Sequence, residues 1–180
     1  MKKAVLLAVL VISTSVSAGP SNHTITGGYA RTNASDTHLD GFNIKYGYQF
    51  DDSAWGIIGS LTATAKEDSF SDDAGYKTEV DAGYASLMAG PSYNITDDIK
   101  IYALVGTSGA DVKLKYNGNT EAEYKAHSPV VGVGFQYAIW KGFTVDASYE
   151  YAKFKHAESD NYYVDSFNAK TLAVGIGYKF

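Results

Sequence analysis

The sequence has no cysteine, and this absence excludes several kinds of site. A disulfide framework, a cysteine-ligated zinc site, an iron–sulfur cluster and a thiol nucleophile all require that residue. Arginine is nearly absent as well, because Arg31 is the only one in 180 residues. With 15 Lys+Arg against 20 Asp+Glu, the chain lacks the clustered basic face that binds nucleic-acid phosphates. We therefore expect no nucleic-acid partner.

Long hydrophobic runs are also missing, except at the N-terminus. Residues 1–18 contain two lysines, an apolar run over 4–12, and small residues up to Ala18. This order is typical of a secretory signal peptide, and the run is much shorter than the roughly 20 residues of a transmembrane helix. The sequence therefore predicts a signal peptide over 1–18 and one exported domain over 19–180.

The rest of the chain shows a two-residue alternation. From Phe42 to Phe50, bulky apolar residues occupy every second position, with polar or small residues between them. This period indicates a strand with one apolar and one polar face. Similar patterns predict further strands, clearly at 55–63, 143–151 and 171–180 and more weakly at 22–32, 80–94, 99–114 and 124–139. We expect eight strands and no helix.

Short and long connections alternate between these strands. Turn residues predict tight turns at 51–53, 96–98 and 140–142, whereas longer polar stretches lie at about 33–40, 67–78, 115–123 and 156–167. This order indicates an all-β, eight-stranded antiparallel up-and-down transmembrane barrel with short periplasmic turns and longer extracellular loops. An eight-stranded interior is filled by side chains, so a porin function is not expected.

The two faces of the strands differ in the way that a membrane barrel requires. The bulky face carries Phe, Tyr, Leu, Val and Ile, which suit lipid, and the other face carries Gly, Ser, Thr and Ala. Closure also pairs every backbone group within the protein. The alternation places Lys45, Asp146 and Glu150 on the inner face, where charges must be paired. We interpret them as a polar network in the lumen, with a proton or ion path as the alternative.

Several strands exceed the 9–11 residues that cross a bilayer, notably around 80–94, 99–114 and 142–156. The surplus is expected to project outward and to offer sheet edges to a partner by strand addition. Alternatively, Tyr162 and Phe167 belong to the aromatic girdle at the membrane interface, and the basic residues form a solvated face. The candidate binding residues of this outer region are Phe70, Tyr76, Lys113, Lys115, Tyr116, Tyr162, Tyr163 and Phe167.

Histidines are the main candidates for chemistry. His38 and His156 lie near acidic residues in polar stretches, which could support acid–base catalysis or metal binding. His127 precedes Ser128, but neighbouring strand residues point to opposite faces and cannot form a dyad. None of these pairs amounts to a catalytic signature. We expect no enzyme activity, no metal site and no cofactor.

Distinctive stretches that span the mature chain lie at 26–30, 41–46, 58–62, 89–93, 145–150 and 174–180. Together they resemble the OmpX/Ail/PagC/Lom family of eight-stranded enterobacterial outer-membrane proteins. The terminal Phe180, with Tyr178 two positions before it, is similar to the signal that the outer-membrane assembly machinery reads. The resemblance implies a location in the Gram-negative outer membrane, with membrane lipid and, during biogenesis, that machinery as partners.

The resemblance also implies a surface protein that acts through its loops, in adhesion or invasion or in serum and complement resistance. A host matrix, cell-surface or complement-regulatory protein is the implied partner. The stretch 67–78 departs from relatives that bind anions through basic loops, because it has four acidic residues and only Lys77. Contacts with heparin-like ligands or lipid A phosphates are therefore in doubt. A barrel for envelope homeostasis without a host ligand, and a lipid- or peptide-cleaving enzyme, are the alternatives.

Overall fold

The computed structural model describes residues 22–34, 37–71, 77–116, 119–154 and 166–180, which form eight strands. The strands are β1 (His23–Ala34), β2 (Thr37–Gln49), β3 (Trp55–Ser71), β4 (Lys77–Asn94), β5 (Ile99–Tyr116), β6 (Asn119–Trp140), β7 (Phe143–Phe154) and β8 (Phe167–Lys179). Each strand pairs antiparallel with the next, and β8 pairs with β1 to close the barrel. The predicted eight-stranded antiparallel barrel is confirmed. No helix in the described ranges is long and apolar enough to span a membrane.

The pairing register defines a narrow barrel. Following paired residues once round the barrel from Thr26 leads back to β1 at Ala34, eight residues further along. A closed sheet needs such a displacement because its strands tilt, typically by about 35–45°. Eight tilted strands enclose a space that side chains fill, so the inward residues largely determine what the lumen contains.

The three tight turns lie where the sequence predicts them, and all are at the same end of the barrel. The backbone enters the left-handed region in two of them, at Asp52 (φ 53°) in the first and at Lys141 (φ 43°) and Gly142 (φ 87°) in the third. A Cβ on Gly142 would approach the carbonyl oxygen of Lys179 to 2.8 Å. Glycine is therefore required there by both its φ angle and the space available.

At the opposite, outer end, the predicted loops are wrong over much of their length. β1 and β2 remain paired up to Ala34 and Thr37, so most of 33–40 is strand. β3 likewise continues to Ser71, and β5 and β6 together occupy all but 117–118 of the predicted loop at 115–123. The reason is physical: beyond the membrane the outward face of a strand meets water, so the regular alternation of bulky apolar and polar residues that identifies a strand is lost.

Strands β3–β6 are longer than the others. They contain 17–22 residues, whereas β1, β2, β7 and β8 contain 12 or 13. The sequence predicted the surplus in β4 and β5 but placed a third long strand at β7 instead of β3 or β6. We call the outer parts of these four strands the projecting sheet, which comprises residues 66–71, 77–82, 112–116 and 119–129.

Candidate functional site in the lumen and on the outer surface

An ion pair lies at the centre of the lumen. Lys45 of β2 is only 1% exposed, and its Nζ donates a hydrogen bond to Oδ1 of Asp146 on β7 at 2.6 Å. The same ammonium donates to Oδ1 of Asn43, and the hydroxyl of Tyr102 on β5 donates to Oδ2 of Asp146 at 2.7 Å. Both charges are thus paired and hydrogen-bonded, as their burial requires.

Glu150 forms a second polar centre nearer the outer end of the lumen. Its carboxylate accepts hydrogen bonds from Oγ1 of Thr62 at 2.6 Å and from Oγ of Ser86 at 2.8 Å. Hydroxyls of Thr32 and Thr171, 2.7 Å apart, continue this layer across the β1–β8 seam. The three predicted lumen charges therefore all lie inside, and side chains from opposite strands meet across the lumen.

The outer end of the lumen is apolar, which the sequence analysis did not anticipate. Phe154 of β7 stacks on Phe167 of β8 with ring centroids 4.7 Å apart, and Tyr84 contacts Phe154 edge-on. Leu39 and several alanines pack around them. Phe167 was a candidate for binding or for the aromatic girdle, but the structure places it half-buried in this cluster.

The outward face of the wall is covered by bulky apolar side chains, as predicted. Leu87 is 62% exposed, Val105 66% and Ile176 71%. Aromatic residues collect at the inner ends of the strands, where interfacial girdles are expected. This girdle includes Tyr46, Trp55, Tyr93, Tyr137, Trp140, Phe143 and Tyr178.

The two residues of the predicted assembly signal lie at the inner end of β8 and contact both neighbouring strands. Tyr178 meets Phe143 of β7 edge-on, with ring centroids 5.5 Å apart, and Phe180 stacks on His23 of β1 with ring centroids 5.8 Å apart. The backbones of Phe180 and His23 also exchange two hydrogen bonds, at 2.8 and 3.1 Å. The C-terminal residue is therefore part of barrel closure, and its reading by the assembly machinery stays a prediction.

Four of the remaining candidate binding residues lie in the projecting sheet. The structure describes the backbone at Phe70 on β3 and at Lys113, Lys115 and Tyr116 on β5. The register sets Lys113 opposite Asp81, and Lys115 opposite Glu79. Both candidate lysines thus stand opposite acidic positions on the neighbouring strand β4. Three candidates lie outside the described residues, namely Tyr76, Tyr162 and Tyr163.

A basic patch that the sequence analysis missed lies on the outward face of β1, β7 and β8. It consists of Arg31, Lys153 and Lys170, all exposed at the outer ends of their strands. Lys170 pairs with Asn33 of β1 and with Tyr151 of β7. Arg31 and Lys153 are therefore its diagonal neighbours, with Cα atoms roughly 7–8 Å from that of Lys170. Arg31 also forms an exposed ion pair with Asp40 at 2.7 Å.

The signal for this patch was present in the sequence. Lys153 is an even number of residues from Tyr149 and Tyr151, and Lys170 is an even number of residues from Leu172 and Val174. Both lysines therefore share the outward face of their strands with these residues. They escaped notice because only loop residues were considered as anion ligands.

The histidines form no catalytic arrangement within the described residues. His38 is in β2, not in a loop, and its Nδ1 lies 2.6 Å from Oδ1 of Asn33. His127 is exposed on the outer face, whereas Ser128 is buried. His156 lies outside the described residues. The described part of the chain contains no cluster of three or more His, Cys, Asp or Glu that could hold a metal ion.

Comparison with known proteins agrees with this geometry. Residues 4–180 match the family model described as the outer membrane protein beta-barrel domain. The attachment invasion locus protein of Yersinia enterocolitica is 31% identical, and outer membrane protein X of Escherichia coli K12 is 30% identical, each over 100% of both chains.

A solved structure of Ail, the attachment invasion locus protein of Yersinia pestis, superposes with a TM-score of 0.73 at 30% identity, covering 88% of this chain and 98% of that one. The resemblance drawn from the sequence is confirmed. The chain therefore belongs to the family of outer membrane β-barrel proteins that includes the attachment invasion locus protein and outer membrane protein X, and its place is the Gram-negative outer membrane.

Proposed function

We propose that this protein is a non-enzymatic surface protein that binds a host macromolecule through its projecting sheet, while the barrel serves as a scaffold. The observation that carries the proposal is the length difference between β3–β6 and the other four strands. About 9–11 residues are enough to cross the bilayer, so the extra residues extend the sheet into the medium. A partner that contacts this part of the sheet would explain why the four strands continue beyond the membrane.

The free edge of β3 is the best binding element of the projecting sheet. Pairing between β2 and β3 ends at Asp40 and Ala65, and residues 67–71 pair in the sheet only with β4 among the described residues. An extended partner segment can add to such an edge by main-chain hydrogen bonds. Phe70 lies on this edge and provides an aromatic side chain of the kind that often dominates binding energy.

The outer basic patch supports a second contact, with a sulfated or otherwise anionic ligand. The Ail relative from Yersinia pestis was solved in complex with the heparin analogue sucrose octasulfate. Arg31, Lys153 and Lys170 provide three exposed cations on adjoining strands, although Asp40 offsets part of the charge of Arg31. A polyanion would therefore bind with moderate affinity and strong salt dependence.

The alternative, a barrel for envelope homeostasis without a host ligand, is favoured by the charge register of the projecting sheet. Lys113 and Lys115 both stand opposite acidic positions, which leaves little net basic character there. This alternative predicts that deletion changes envelope permeability or stress responses and leaves adhesion unchanged.

The test uses neighbouring proline substitutions on the free edge. Successive backbone N–H groups of a strand point to opposite sides, so one of Asp68→Pro and Ser69→Pro removes a hydrogen bond to β4 and the other removes only an edge donor. The protein is expressed in a non-adherent bacterium, and cell adhesion, matrix binding and serum survival are measured. The variant that removes only the edge donor should bind about tenfold more weakly than the wild-type protein, and its unfolding midpoint should stay unchanged.

Wild-type binding by both proline variants would show that the edge is not used. If the wild-type protein itself confers no adhesion, matrix binding or serum survival, the host-interaction proposal fails and the envelope function takes its place.

A further inference from the structure

A groove of about 860 Å³ runs across the lipid-facing wall and touches strands β3 to β8. Trp55 and Tyr93, with ring centroids 4.9 Å apart, form its inner end, and Tyr149 and Leu172 form its outer end. Paired residues climb toward the outer end of the barrel from one strand to the next, so the groove ascends diagonally from the inner girdle. Its volume lies within the range of about 300–1,000 Å³ that ligands of drug size occupy, and an acyl chain is a ligand of that size.

The groove exists because small side chains interrupt the bulky outward face. The β4–β5 pairing skips Pro91 and Ala103, since proline has no N–H to donate to the neighbouring strand. Ala147 of β7 continues this low floor, and the larger side chains of Val133 and Phe135 stand beside it. The depression is therefore a consequence of particular residues in the wall.

The position of the groove indicates which leaflet fills it. Trp55 and Tyr93 lie at the inner ends of β3 and β4, and such residues lie at the level of the lipid head groups. At the other end, Leu172 lies one outward position below Lys170, within the apolar face. A chain in the groove thus has its head group at the inner interface and its methyl end in the hydrocarbon, as a lipid of the periplasmic leaflet does.

The charge beside the inner end selects among head groups. The β2–β3 and β4–β5 turns flank this end and contain four exposed carboxylates, Asp51, Asp52, Asp97 and Asp98. Lys100, which shares a small pocket with the last two, offsets part of this charge. A net acidic surface attracts an ammonium group and repels an anionic head group. We propose that the groove binds one acyl chain of a periplasmic-leaflet phospholipid whose zwitterionic head group carries a primary amine.

The inference is independent of the host-interaction proposal. The groove lies in the membrane-spanning wall, whereas the projecting sheet lies beyond the membrane. Loss of lipid binding would therefore leave adhesion unchanged, and absence of adhesion would leave the groove occupied.

The experiment uses the full mature protein refolded in vesicles of equal parts phosphatidylethanolamine and phosphatidylglycerol. Trp140→Phe leaves Trp55 as the only tryptophan. One lipid or the other is brominated in the upper half of one acyl chain, and the quenching of Trp55 fluorescence is measured. Brominated phosphatidylethanolamine should quench about threefold more than brominated phosphatidylglycerol, a ratio of the size that exposed charge contacts produce. Trp55→Phe, which leaves Trp140 as the reporter outside the groove, should show no such preference.

Two sets of substitutions separate the floor of the groove from the charge beside it. Ala103→Phe fills the floor and should abolish the preference, whereas Ala85→Phe, on the same outward face but outside the groove, should retain it. Combining Asp52→Asn, Asp97→Asn and Asp98→Asn should also reduce the ratio to about one, because the attraction for the amine is removed.

Any of four results would overturn the proposal. Equal quenching of Trp55 by both lipids indicates an ordinary lipid boundary. A preference that survives Ala103→Phe indicates a head-group effect without the groove. Loss of the preference in the double variant Lys153→Gln and Lys170→Gln assigns the chain to a lipid of the outer leaflet. A cross-linked dimer in the vesicles that Ala103→Phe abolishes assigns the groove to a second copy of the protein.

Discussion

The projecting sheet continues four of the eight strands that form the wall of the barrel, yet the two regions are built by different rules. In the wall, outward residues meet lipid and inward residues meet one another, so each position has one suitable class of side chain. In the projecting sheet, acidic and basic positions face each other across strands, as Asp81 and Lys113 do. Exposed pairs of this kind typically contribute only about 0–1 kcal/mol.

The comparison separates the residues that stabilise the barrel from those proposed to bind a partner. The wall contains the buried ion pair, the apolar cluster around Phe154 and the closure between β1 and β8. Among the described side chains of the projecting sheet, Ala82 and Ala126 pack against this cluster, and none takes part in the ion pair or the closure. Substitutions in the wall should therefore change stability, and substitutions on the outer surface should change binding.

The largest expected effect is that of breaking the buried ion pair. Lys45→Met leaves the Asp146 carboxylate buried, with the Tyr102 hydroxyl as its one remaining hydrogen-bond partner among the described residues. Removing one partner of a buried pair typically destabilises by about 3–5 kcal/mol. The free energy of unfolding is measured by urea titration in phospholipid vesicles. Lys153→Met, on the exposed surface, is the control, and an equal midpoint for both variants would contradict the distinction between the two regions.

A smaller effect is expected from adding one methyl group to the lumen. A Cβ on Gly134 would lie 2.4 Å from the ring of Tyr102, whereas a Cβ on Gly27 would have no atom within 4 Å. Gly134→Ala should therefore destabilise the barrel by about 1–3 kcal/mol, as overpacking does. Gly27→Ala, which faces lipid, should change the same titration by less than about 0.5 kcal/mol. Equal effects would show that the lumen is loosely packed.

The smallest effect on stability should come from the outer basic patch. The double variant Lys153→Gln and Lys170→Gln should change the free energy of unfolding by less than about 0.5 kcal/mol. Binding of sucrose octasulfate, followed by titration calorimetry at low salt, should weaken several-fold. A loss of salt dependence should accompany it, because fewer exposed charges remain to be screened. Unchanged binding would exclude the patch as an anion site.

The strands and tight turns of the wall could be predicted because lipid and lumen impose opposite preferences on alternate residues. Phe42, Ile44 and Tyr46 show this alternation without interruption, and all three are outward and exposed. The parity also placed Lys45 inside. The identity of its partner could not be predicted, because it depends on the register across several strands.

Outside the membrane the same method loses its signal. His38 reads as a loop residue because most residues of 33–40 are polar, although it lies in β2 and pairs with Asn33. Large apolar residues in the lumen, such as Phe154 and Ile58, were missed for another reason. Each is surrounded by small or polar residues at the other inward positions of its strand. A single bulky apolar residue at such a position reads as an outward residue, so the alternation alone does not place it in the lumen.

The central claim is that the bulky face of the alternation lies against lipid. The chain contains two tryptophans, and Trp55 and Trp140 are 55% and 65% exposed on the outside of the inner girdle. Phospholipids brominated near the interface should quench most of their fluorescence in refolded vesicles, and aqueous iodide should quench little. Strong quenching by iodide with none by brominated lipid would place this face in water and contradict the account.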